Sequence, residues 1–103
     1  MKSSDNPRTS LLEEAVTIVN GERNNDYGDP LDDFSLTAHF WQEYLRRIAV
    51  VRGSIELRPH DVAVMMTLVK ISRLTQSPTK RDHWTDIAGY TGCGWDCVVR
   101  QDA

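Results

Sequence analysis

Lys70 and Arg73 stand three residues apart in "DVAVMMTLVKISRL", a stretch otherwise apolar on nearly every side. Residues at that spacing share a helix face. Two cations set into an apolar surface need neutralising partners, since an uncompensated buried charge costs on the order of several kcal/mol. The next acidic residues are Asp82 and Asp86, four apart and so on one face of the following helix. Two chemistries fit them. Carboxylates one turn apart can hold Mg²⁺, which takes oxygen ligands and keeps waters for itself and for phosphates. Alternatively, Asp82 caps its helix and Asp86 makes a salt bridge to Lys70 or Arg73; spacing alone favours this structural reading. Glu43 forms a second one-turn pair with His39, on a polar face with Asp32, Gln42 and Arg46. That face is either solvated or turned toward the last helix, supplying Glu43 as metal ligand or base. A third group lies in "GERNNDYGDP", residues 21–30. There Arg23 can donate to phosphate or backbone, and Tyr27 offers a stacking face with a polar tip. The same segment also reads as a structural turn docked on its neighbours, and both readings stand.

The elements that position these residues are helical. Ser10 and Glu13 fit a capping box, and Leu12, Ala15, Val16 and Val19 follow at helical spacing, giving a first helix over about 10–20 that ends at Gly21. Asp29 as cap and Pro30 at the first helical position start a second helix over about 30–52. Its apolar seam is Leu31, Phe34, Ala38, Trp41, Leu45 and Ile48, and Gly53 ends it. Pro59 opens a third helix, in which Asp61 reads as a first-turn cap rather than a partner for Lys70. Being apolar all round to Leu74, this helix is central or covered by a partner chain. Ser77-Pro78-Thr79 breaks it. A cap within 79–82 opens a fourth helix, whose expected buried stripe is Trp84, Ile87, Ala88 and Thr91 and whose later turns are weakened by Gly89, Gly92 and Gly94. His60 and His83 sit in first turns and read as surface residues. The expectation is an all-α, four-helix bundle-like single domain over 10–99, with a flexible tail at 1–9 and a short C-terminal tail at 100–103.

Bulk properties narrow the function. The chain of 103 residues suits one domain. A net charge of −3 argues against direct DNA binding and against anionic membranes. The longest apolar run is far too short to span a bilayer, and no secretory leader is visible at the N-terminus. Cys93 and Cys97, four apart, read as free thiols of a cytoplasmic protein, and C-x-x-x-C is not a structural zinc spacing. The all-round apolar helix and the long seam predict a homo-oligomer.

The stretches "GERNNDYGDP", "DVAVMMTLVKISR" and "RDHWTDIAGY" resemble a family of small phage and prophage proteins known only as a domain of unknown function, over about residues 11–97. More distantly, the pattern of K..R followed by D...D..GY is similar to the last two helices of MazG-like all-α nucleotide pyrophosphohydrolases. That resemblance implies a helical bundle whose Glu and Asp residues bind Mg²⁺ while water attacks the α-phosphate of a nucleoside triphosphate. Asp86 matches the Asp of the family's E-x-x-D helix. The Glu position falls on His83, a departure for which Asp82 is the nearest substitute, and Glu43 is the sole acidic residue in the second half of helix two. Carried over, the resemblance makes Glu43 and Asp86 catalytic, Asp82, Asp86 and Glu43 metal ligands, and Lys70, Arg73, Arg23 and Tyr27 the nucleotide contacts. Three classes of function follow: a Mg²⁺-dependent nucleotide pyrophosphohydrolase, a non-catalytic binder of a nucleotide signal, and a scaffold that binds a host protein.

Overall fold

The computed structural model describes residues 6–102, apart from the side chains of Glu22, Arg23, Asn24 and Asp102. Among the described residues all regular structure is helical: α1 Pro7–Val19, α2 Glu22–Tyr27, α3 Pro30–Arg52, α4 Pro59–Leu74 and α5 Arg81–Asp102. The all-α reading holds, with five helices rather than four. The expected loop after the first helix is itself one short helix, because nothing in residues 22–27 forbids helical backbone and Gly28 (φ +74°) supplies the break one residue later.

Local chemistry explains each boundary. Asn6, not Ser10, caps α1, accepting from the N–H groups of Arg8 and Thr9, with Pro7 at the first helical position. The proposed tail over 1–9 therefore turns helical from Pro7, and its first five residues lie outside the described ones. Asp29 caps α3 through the Leu31 N–H at 2.8 Å, and Gly53 closes that helix at φ +77°. The carboxylate of Asp61 accepts from the Arg58 N–H at 2.7 Å and opens α4. The three glycines of α5 do not shorten it. It runs to Asp102, so the tail expected over 100–103 is helical for most of its length. Gly94 shows why a costly residue is placed there: a Cβ on it would lie 2.9 Å from that of Ala63, so α4 and α5 approach closely at this point.

α4 packs along α5 on one side and against α3 on the other, which makes it central, as its composition predicts. α1 packs on α2. The side chains that face inward differ from the expected ones. On α5 the inner line is His83, Ile87, Tyr90, Gly94 and Val98, whereas Trp84, Ala88 and Thr91 are exposed. On α3 the inward line is Asp33, Thr37, Tyr44 and Ile48, while Leu31 and Phe34 of the expected seam face solvent. The reason is polar: two carboxylates, Asp33 and Asp61, clamp α3 to α4 and set its rotation.

The Asp61 clamp ties the end of α3 to the start of α4. Its carboxylate is fully buried and takes both guanidinium donors of Arg52, at 2.7 and 2.8 Å. The Tyr44 hydroxyl donates to it at 2.6 Å. Arg52, above all, holds the Asp61 carboxyl below the usual carboxylate range against the opposing pull of burial. Burial first, then the hydrogen bond to Asp61, pushes the Tyr44 hydroxyl up to about 12. Asp61 is thus the expected cap and also a buried ion-pair partner, of Arg52 rather than of Lys70.

Candidate functional site

The 75–80 turn, the end of α2, the last turns of α4 and the first turns of α5 bring Tyr27, Lys70, Arg73, Lys80 and His83 together. The Arg73 guanidinium lies over the Tyr27 ring, 4.2 Å from its centroid, with Lys80 Nζ at 5.7 Å. The rings of Tyr27 and His83 sit 5.5 Å apart and tilted at 43°. Gly28 lets the chain pass beside Gln76 at a positive φ, which seats Tyr27 against α4.

Each cation has a carboxylate near it. Lys70 pairs with Asp86 at 2.9 Å, Lys80 with Asp26, and Arg73 Nε lies 3.6 Å from Asp33. Asp33 is itself buried and held by the Ser72 hydroxyl at 3.0 Å. The Lys70 partner, first of all, lowers the Asp86 carboxyl. The salt-bridge reading of Asp86 is therefore the one the geometry shows.

His83 is buried, contrary to the surface position expected from its place in a first turn; α5 turns that face onto Tyr27 and the 75–80 turn. Its Nε2 lies 2.9 Å from the Ser77 hydroxyl. That hydroxyl donates to a backbone carbonyl, Asp26 O or Arg73 O, and carbonyls only accept. Nε2 must then donate to Ser77, which leaves Nδ1 as a bare acceptor. Nδ1 is buried with no hydrogen-bond partner, and so is Arg73 Nε. Burial first, then the charges of Lys70, Lys80 and Arg73, lowers the His83 pKa and keeps the ring neutral at pH 7. An acceptor and a donor thus sit unsatisfied in one cationic, aromatic cluster. Such groups are uncommon in folded interiors.

The expected metal set does not assemble in a single chain. Asp82 is exposed, Glu43 pairs with Arg46 at 2.8 Å on an exposed face, and Asp86 is taken by Lys70. Among the described residues no group of three or more His, Cys, Asp or Glu side chains is placed to hold a metal ion. Mg²⁺ therefore does not fit these three carboxylates as they stand, because Glu43 and Asp86 are each paired with a cation of their own and Asp82 stands exposed. The Arg23 side chain lies outside the described ones. Sequence reasoning did not single out Asp26, Asp33, Ser77 or Lys80 as members. Asp26 lies within "GERNNDYGDP", but a contact 51 residues apart, Ser77 to Asp26, leaves no local signal.

Fold and cluster together define a small all-α domain built around an inward-facing cation, carboxylate and tyrosine group. The chain belongs to the family described as "Domain of unknown function (DUF6378)", whose model matches residues 10–98. It is similar to the Gene 55 protein of Mycobacterium phage D29, 40% identical over 84 residues, covering 82% of this chain and 50% of the relative. It is also similar to the Gene 55 protein of Mycobacterium phage L5, 41% identical over 83 residues, covering 81% and 49%. The chain spans about half the length of these curated relatives. No solved structure matches. Among the described residues, no helix is long and apolar enough to cross a membrane.

Proposed function

We propose that this domain binds a nucleotide through its phosphates, using Lys70, Arg73 and Lys80 as counter-charges and Tyr27 as the stacking face. The observation that carries the reading is the convergence of Arg73 and Lys80 on Tyr27 beside two buried unsatisfied groups, Arg73 Nε and His83 Nδ1. A bound phosphate would draw the cations from their own carboxylates and satisfy the guanidinium donor. The bare Nδ1 would accept from a donor on the base or sugar. Binding without turnover is the form that suits a single chain, since Asp82, Asp86 and Glu43 do not converge. The Mg²⁺-dependent pyrophosphohydrolase reading, with Glu43 and Asp86 catalytic, requires those carboxylates to be regrouped.

The test is a calorimetric and thermal-shift titration of the intact chain with canonical and modified NTPs and dNTPs, with and without Mg²⁺. A ligand at 100 times its Kd should stabilise the fold by about 2.7 kcal/mol. Arg73→Gln should weaken binding about tenfold or more, and Tyr27→Ala should do the same. Absence of stabilisation by every nucleotide at millimolar concentration overturns the proposal. Pyrophosphate release in the same samples would establish the enzymatic form.

A further inference from the structure

The chain exposes more surface than a compact monomer of its size, and sixteen large hydrophobic side chains among the described residues contribute to it. Ile48, 5% exposed, is the single buried hydrophobic side chain among the described residues. The accessible surface is 7598 Å². A compact monomer of 11.7 kDa exposes about 5,900 Å². The excess is roughly 1,700 Å² per chain. At the unfolded-chain value of about 1.45 Å² per dalton, six residues, the number outside the described span, amount to about 1,000 Å². Covering the remaining surface on two chains buries roughly 1,400–3,400 Å² in total, which spans standard and obligate interfaces.

Two of the uncovered faces match each other. One is a groove of about 480 Å³ between α4 and α5, lined by Val64, Leu68, Ile71, Trp95 and Val98 and running on α4 from His60 to Ile71. At 1.5 Å per residue that is about 17 Å long. The other is α1, which has no buried residue, with Leu12, Val16 and Val19 all exposed. Its 13 residues span about 20 Å, the length of the groove. A helix that short is marginal in water unless its apolar face is covered.

We propose that a second copy of this chain covers these faces, with α1 of each protomer lying in the α4–α5 groove of the other. The arrangement is reciprocal and closes as a twofold dimer. The occupant is argued from the size of the deficit. The surface left uncovered on two chains lies in the range that a stable dimer buries, and groove and helix face lie on the same chain, so each copy supplies what the other lacks. The groove lining carries no acidic, lysine or arginine side chain that would select a charged foreign partner. This inference does not depend on the nucleotide reading.

Light scattering of the intact protein at 1–100 µM tests it, with a mass of twice 11.7 kDa expected. Val16→Glu changes a position that is 58% exposed in one chain and so costs little unless a partner covers it. It should drop the mass to that of a monomer or abolish the helical signal, and Trp95→Glu should do likewise. Hydrogen exchange should show α1 amides protected in the wild type and open in Trp95→Glu. A wild-type monomer at 100 µM overturns the proposal, including the case of a monomer that takes up a foreign protein. A Val16→Glu variant with wild-type mass and Tm overturns the placement of α1.

Discussion

At the residue scale the cluster is governed by His83, which occupies the position where the MazG-like resemblance puts a glutamate. A neutral imidazole there cannot ligate Mg²⁺ as a carboxylate does, but it joins α5 to Ser77 and, through it, to α2. Its protonation carries a stability cost with a definite sign. In the unfolded chain it titrates near 6.5; in the fold burial, then Lys70, Lys80 and Arg73, holds it lower, with the Asp26 charge opposing. Between those two values the unfolded state binds more protons, so stability falls as pH falls. The expected outcome is a Tm that drops between pH 7 and pH 5, with stability falling by at most about 1.4 kcal/mol per pH unit for this one proton. His83→Gln should flatten that slope, and melts across the pH range check it; an unchanged slope refutes the assignment. The residues of this cluster were partly legible in the sequence. Lys70, Arg73 and Tyr27 stand out because cations in an apolar helix and a tyrosine in a polar segment are locally anomalous. Asp33 and Ser77 do not, since an Asp beside a helix start and a Ser before Pro look like ordinary caps and turns.

At the element scale the boundaries were readable because their causes are local. Asp29-Pro30, Gly53 and Pro59 act on backbone groups within a few residues of themselves. Helix rotation was not, because it is set by distant polar partners: Ser72 on Asp33 and Arg52 on Asp61. The glycines of α5 separate the two kinds of cause. Nothing lies within 4 Å of a Cβ placed on Gly89 or Gly92, whereas one on Gly94 meets Ala63 at 2.9 Å. Gly89→Ala should therefore raise stability by up to about 1 kcal/mol through helix propensity. Gly94→Ala should lower it by about 1–3 kcal/mol through overpacking, offset in part by the same propensity gain. Denaturant melts of the two variants side by side give the comparison, and equal shifts would refute the close α4–α5 approach.

At the scale of the whole molecule the chain is long and open, 54 × 29 × 25 Å with a radius of gyration of 17.3 Å. A compact domain of about 100 residues has a radius near 13 Å. The dimer proposed above makes stability depend on protomer concentration. The Tm should rise by several degrees between 1 and 100 µM protein, and calorimetric scans at both concentrations read it; a constant Tm counts against an obligate partner. The sequence by itself determined the all-α class, the α3 and α4 limits and the family membership. Capping, proline and glycine act over a few residues, and the shared motifs lie along the chain. Only the tertiary structure decided that Asp86 serves Lys70 instead of standing with Asp82 and Glu43, that His83 is buried, and that much of the apolar surface has no cover within one chain. Those outcomes depend on how the helices are turned about their axes, and that rotation is fixed by contacts between residues up to 54 positions apart.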